Sequence, residues 1–137
     1  MPCLVKSIDH IGIGVKNLDE AVRLYRDVLG FKLEAIHVVK KRKVKIAFLS
    51  AGGETRIELV EPLDNESFMA KFIAEHGEGI HHVAVKVGNL DAALKELEGK
   101  GLTFVDTLPR MGVGGVRIAF VQSQGNGNVL FELRETV

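Results

Sequence analysis

The 137-residue chain predicts an α+β fold in which two tandem βαβββ modules form a curved mixed sheet, with helices outside and a metal-binding concave face. Three observations lead there. The stretch Ile8-Asp9-His10-Ile11-Gly12-Ile13-Gly14-Val15, followed by Asn17-Leu18-Asp19 and Ala21, returns 72 residues later as Ile80-His81-His82-Val83-Ala84-Val85-Lys86-Val87, followed by Asn89-Leu90-Asp91 and Ala93. At the same offset Val44-Lys45-Ile46-Ala47-Phe48-Leu49 returns as Val116-Arg117-Ile118-Ala119-Phe120-Val121. Ile57-Glu58-Leu59 returns two residues late as Phe131-Glu132-Leu133, so each copy offers one His and one Glu. Two copies are too few for a solenoid, and each alone would bury a marginal core. The expectation is one domain over 1–137, with module one at 4–62, a linking helix at 64–77 and module two at 79–135.

Alternation marks the strands. Ile11, Ile13 and Val15 point one way and His10, Gly12 and Gly14 the other, giving a first strand over 8–15. Asn17-Leu18-Asp19-Glu20 reads as a capping box opening a helix over 17–29, with Leu18, Ala21, Val22, Tyr25, Val28 and Leu29 as its apolar stripe and Gly30 as its stop. Strands over 31–39, 43–50 and 55–61 complete the module. Asp64-Asn65-Glu66-Ser67 starts the linking helix, Phe68, Met69, Phe72 and Ile73 give it a buried edge, and Gly77 and Gly79 end it. The second module then runs 80–87, a helix over 89–99 opened by Asn89, and strands over 102–107, 115–122 and 128–134. Lys40-Lys41-Arg42-Lys43 and Gly125-Asn126-Gly127-Asn128 read as turns.

Composition narrows the class of function. Eighteen basic residues balance eighteen acidic ones, so no overall field attracts nucleic acid or an anionic membrane. A single Cys3 excludes an intrachain disulfide framework and a thiolate zinc cluster, and points to a reducing compartment. No apolar run approaches the ~20 residues of a membrane span. A cytoplasmic protein that takes a small ligand is the expectation, and edge strands allow a homodimer.

In the third strand Val44, Ile46 and Phe48 share one face and Lys45, Ala47 and Leu49 the other. Helices are expected over the bulky face, leaving a concave face that carries His10, Glu58, His82 and Glu132, with small Gly12 and Ala84 beside them. Two neutral imidazoles and two carboxylates supply four ligands to a divalent first-row ion and leave two octahedral positions open. Buried carboxylates converging on one cavity need a cation between them. His37, His76 and His81 read as structural, and Glu54, Glu61 and Glu135 as exposed charges.

The phrases Ile8-Asp9-His10-Ile11-Gly12-Ile13, Ile57-Glu58-Leu59-Val60-Glu61-Pro62, Ala70-Lys71-Phe72-Ile73, Gly77-Glu78-Gly79-Ile80-His81-His82-Val83-Ala84 and Val129-Leu130-Phe131-Glu132-Leu133 resemble the vicinal oxygen chelate superfamily, also called the glyoxalase/bleomycin resistance/dioxygenase superfamily. Within it, the linking helix before the paired histidines makes the chain most similar to the methylmalonyl-CoA epimerase family. The resemblance implies that His10, Glu58, His82 and Glu132 bind one divalent ion, with cobalt favoured and nickel, zinc or manganese as alternatives. It implies an acyl-CoA thioester as substrate, chelated by its carboxylate and thioester oxygens while C2 loses its proton and a metal-stabilised enolate forms. Inversion then needs a base on one face and an acid on the other. Glu132 and the third-strand residue, here Lys45, are the expected pair. Lys45 serves as a base only with its pKa well below about 10.4, and otherwise binds the substrate carboxylate or the coenzyme phosphates. Arg117, its mate in the second module, is expected to bind substrate. Gln122-Ser123-Gln124 stands where the family has a His-Pro-Lys turn. A glyoxalase-type lactoylglutathione lyase and a binding protein without turnover are the rival readings, since fold alone never establishes reaction.

Overall fold

The structure is a computed structural model that describes residues 4–105, 110–122, 127 and 129–136. Its contacts gather into two compact units, residues 10–81 and residues 1–9 with 82–137.

The unit of residues 10–81 contains the second half of β1 (Val5–Gly14), α1 (Leu18–Val22), β2 (Lys32–Val39), β3 (Val44–Ser50), β4 (Arg56–Pro62) and α2 (Phe68–His76). Its strands lie in the order β2-β3-β4-β1, with β1 parallel to β4 and the other neighbours antiparallel. The Asn17 side chain caps α1 by accepting from the Glu20 amide at 3.0 Å, as the capping signal implied. Beyond Val22 the helix widens into a π turn over Arg23–Val28, closed by a Leu29 N–H to Leu24 C=O bond of 3.0 Å. This winds more loosely than the about 3.6 residues of an α turn, and the apolar stripe drifts off the sheet. Leu18 and Val22 are therefore buried, whereas Val28 and Leu29, expected in the stripe, are 73% and 60% exposed.

Both faces of this sheet are covered. α1 packs Leu18 and Val22 on Val15, Ala47, Leu49 and Leu59. α2, capped by Ser67 Oγ accepting from the Met69 amide at 3.1 Å, packs Met69 and Ile73 on Val44, Ile46 and Val60. This corrects the expected placement of helices on the bulky row alone. Ala47 is small enough to admit α1 closely, and the bulky row receives the linking helix instead. Gly14 permits that approach, since a Cβ there would lie 2.5 Å from Met69 Sδ.

In the unit of residues 1–9 and 82–137, β5 (Gly79–Val87) enters at residue 82 and leads to α3 (Leu90–Leu97). β6 (Thr103–Phe104), β7 (Arg110–Met111), β8 (Arg117–Gln122) and β9 (Leu130–Glu135) follow. The order is β5-β9-β8-β6, with β7 also paired to β8 and β5 parallel to β9. α3 buries Leu90 and Ala93 against Val85, Val87, Ala119, Val121 and Leu133. The single strand expected over 102–107 is instead a two-residue β6, with β7 beyond it; residues 106 and 107 lie outside the described residues, as does most of the expected turn at 125–128.

The two helix starts repeat at atomic detail. Asn89 Oδ1 accepts from the Ala92 amide at 2.9 Å, as Asn17 does from Glu20. Glu61 Oε2 accepts from the Leu18 amide at 2.7 Å, and Glu135 Oε2 from the Leu90 amide at 2.9 Å. Glu61 and Glu135, expected as exposed charges, are thus half-buried caps that bring negative charge to helix N-termini.

His81 packs edge-on against Phe72 at 4.9 Å between ring centroids, with Phe68 at 5.4 Å, and Arg42 lies over Phe68. Burial first, and the Arg42 guanidinium second, lower its pKa from 6.5 to about 4. The neutral imidazole therefore contributes stability in full above 6.5, and that contribution is lost as pH falls towards 4. Denaturation of the metal-free protein is expected to show stability rising with pH across this window, less steeply in His81→Phe; equal slopes would contradict the assignment. Gly14→Ala is expected to cost about 1–3 kcal/mol by overpacking. Chemical denaturation checks this, with Met69→Ala expected to cost less in the Gly14→Ala chain than in the parent.

Candidate metal centre

In the unit of residues 10–81, His10 projects from β1 on the face opposite Ile11 and Ile13 and is 3% exposed. Parallel pairing sets Gly12 beside Glu58. With no side chain at Gly12 to intervene, His10 Nδ1 and Glu58 Oε2 stand 3.1 Å apart. Glu58 is aligned across the ladder with Phe48, and Val60 with Ile46, so the Glu58 carboxylate shares the face of the bulky row. The expectation that it would face away from that row is corrected here: parity along each strand was read correctly, but the side taken by α1 was not.

The second unit repeats the arrangement. Ala84 is set beside Glu132 by the parallel pairing of β5 with β9, the same relation as Gly12 to Glu58. His82 and Glu132 are 8% and 5% exposed, with His82 Nε2 3.7 Å from Glu132 Oε1. Phe120, aligned with Glu132 across the ladder, presents its ring edge-on to the His82 imidazole at 6.3 Å. At 3.7 Å the imidazole and the carboxylate are too far apart for a direct hydrogen bond. His82 and Glu132 here, and His10 in the other unit, are all buried, and each offers an atom able to bind a metal ion. Two imidazoles with carboxylate oxygens are donors suited to a divalent first-row ion.

The remaining site expectations fare differently. Lys45 is aligned with Glu61, on the Ala47, Leu49 and Leu59 side that α1 covers. Its side chain thus leaves the sheet on the face opposite Glu58. Arg117 likewise departs on the α3 side, where Nη2 binds Asp91 Oδ1 at 2.9 Å and Nη1 binds Glu135 Oε2 at 3.3 Å. It thereby holds the Glu135 carboxylate that caps α3. Of the histidines read as structural, His37 packs on Phe48 and His76 on Phe72. Residues 123 and 124 of the departing turn lie outside the described residues.

Two residues beside the centre escaped the sequence reading. Arg134 donates from Nη1 to Glu132 Oε2 at 2.9 Å, and its Nε lies 3.5 Å from Asp9 Oδ2. Asp9 Oδ1 in turn lies 3.8 Å from Lys86 Nζ. Alternation alone puts Arg134 on the face of Glu132, two residues back along β9, so the signal for it was present. Asp9 carries none, because its counterpart in the repeat is His81.

The family model of the glyoxalase/bleomycin resistance protein/dioxygenase superfamily matches residues 9–120. The uncharacterized protein YqjC of Bacillus subtilis is 36% identical over 128 residues, covering 93% of this chain and 91% of its own. The mitochondrial methylmalonyl-CoA epimerase of Mus musculus is 30% identical over 129 residues, covering 93% of this chain and 72% of its own. The crystal structure of methylmalonyl-CoA epimerase from Mycobacterium tuberculosis superposes with a TM-score of 0.86 at 36% identity, covering all of this chain and 92% of the other. Repeated modules, matched His–Glu pairs and these likenesses agree, and the chain belongs to the glyoxalase/bleomycin resistance protein/dioxygenase superfamily.

Proposed function

We propose that the chain is a metal-dependent epimerase of methylmalonyl-CoA, in which the two His–Glu pairs close on one divalent ion and the C2 proton of the thioester is removed and returned on the opposite face. The observation that carries this is the identical register of the two pairs, Gly12 beside Glu58 and Ala84 beside Glu132. Donors about 2.0–2.2 Å from an ion and at right angles to one another stand about 3 Å apart. The 3.1 Å between His10 and Glu58 fits that spacing, and the 3.7 Å between His82 and Glu132 fits a wider angle. Similarity to methylmalonyl-CoA epimerases over nearly the whole chain supports the substrate class.

His10, Glu58, His82 and Glu132 would hold the ion, with cobalt favoured over nickel, zinc and manganese. Once bound, the ion would supply Lewis acidity that draws charge onto the thioester oxygen as the C2 proton leaves. Glu132 serves as one of the two proton carriers, since its carboxylate lies at the centre and carries the charge a base needs. Small Gly12 and Ala84 leave space beside the ligands for the substrate oxygens. Balanced overall charge agrees with action on a small substrate, and the proposed place of that action is the cytoplasm.

Incubation of the metal-loaded protein with methylmalonyl-CoA in heavy water tests the proposal. Deuterium is expected at C2 together with loss of optical purity, and chelation should abolish both. No exchange with the ion bound, or turnover of the methylglyoxal–glutathione hemithioacetal instead, would contradict it. Glu132→Gln is expected to lower the exchange rate by more than the roughly 10- to 100-fold cost of losing an outer partner of a metal ligand. Single-turnover measurement at saturating metal checks this, and a rate within a few-fold of the parent would remove Glu132 from its role.

A further inference from the structure

The two carboxylates of the centre have different neighbours. Two residues beyond Glu58 on the same face stands Val60, packed under Met69 and Ile73 of α2. Two residues beyond Glu132 stands Arg134, only 13% exposed at its side chain, whose Nη1 donates to Glu132 Oε2 at 2.9 Å. Gly14 in β1 corresponds in the repeat to Lys86, which faces Asp9. The second module has therefore exchanged an apolar lid for the chain of charges Lys86–Asp9–Arg134–Glu132. Gly112 gives that chain room, since a Cβ there would meet Ile118 at 2.8 Å and Arg134 Nη1 at 3.3 Å.

The Glu132 oxygens are divided by this arrangement. Oε2 accepts from Arg134, and Oε1 is the oxygen nearer His82 Nε2, at 3.7 Å. The charge-assisted bond from a mostly buried guanidinium resists rotation of the Glu132 carboxylate away from Arg134. Asp9 at Nε fixes the guanidinium from behind. We propose that Arg134 is a positioning residue that holds Oε2 and presents Glu132 to the metal ion through Oε1 alone. The proposal rests on the metal reading above and extends it. A carboxylate kept to one oxygen leaves a coordination position that a two-oxygen grip would fill, and a chelating substrate needs two such positions.

The test uses Co²⁺ as both ligand and reporter, added to the metal-free full chain, with Arg134→Met, Arg134→Lys and Asp9→Asn compared with the parent. Arg134→Met is expected to weaken Co²⁺ binding by roughly 10- to 100-fold, the range for outer partners of metal ligands. It should also change the position and intensity of the visible Co²⁺ bands, as Glu132 turns its second oxygen to the ion. Arg134→Lys, which retains a donor for Oε2, should restore most of the parental spectrum, and Asp9→Asn should shift it in the direction of Arg134→Met by less. A purely structural salt bridge would lower thermal stability in these variants and leave the bands of the bound ion unmoved. Parental bands and affinity in Arg134→Met overturn the proposal. If Arg134→Met does not fold, parental bands and parental Co²⁺ affinity in Asp9→Asn overturn it equally. Failure of the parent itself to take up Co²⁺ overturns the metal reading, and this inference with it.

Discussion

A carboxylate drawn largely out of water must have a partner, and this chain meets that demand twice in the same way. Removing Glu58 and Glu132 from water costs several kcal/mol each unless charge or hydrogen bonds replace the lost hydration. In both modules the compensation begins with parallel pairing that sets a residue with little or no side chain, Gly12 or Ala84, beside the carboxylate and the histidine two residues earlier on the same strand face. The small residue is what lets the carboxylate reach the imidazole. Larger side chains at these two places would fill the space where the donors meet, and each pair would lose its geometry before any ion arrived.

Around that constraint the modules have diverged. Module one shields its pair with apolar packing, the linking helix bringing Met69 and Ile73 down on Val44, Ile46 and Val60. Module two leaves the equivalent place to Arg134 and Lys86, bridged by Asp9. The outward faces remained alike, because both must start a helix just beyond a strand: Asn17 with Glu61, and Asn89 with Glu135, satisfy amides at the two N-termini. Structure is thus most nearly symmetric where the backbone must be capped. It departs from symmetry around the two carboxylates.

The repeat made the architecture legible. The offset that carries His10 to His82 also aligned strands, helices and caps, and Ser67 and Gly77 bound the linking helix as their residue types imply. Alternation likewise separated Lys45 from Phe48 and Arg117 from Phe120. What it did not contain was the side of the sheet on which the helix would land. β3 is apolar on both faces, so hydrophobicity could not choose between them; the smallness of Ala47 decided it, and that is a matter of helix-to-sheet distance rather than of pattern. The faces expected for Lys45 and Arg117 followed from the same choice of side. The π turn after Val22 was hidden for a related reason, since an i to i+5 bond leaves no mark in a sequence with ordinary helical spacing.

Metal stoichiometry tests the proposed metal centre most directly. Titration of the metal-free chain with Co²⁺, followed by elemental analysis after desalting, is predicted to give one ion per chain, with binding weakened on replacing either His10 or His82 by alanine. Two independent ions per chain, or full retention of one ion when either histidine is removed, would contradict it.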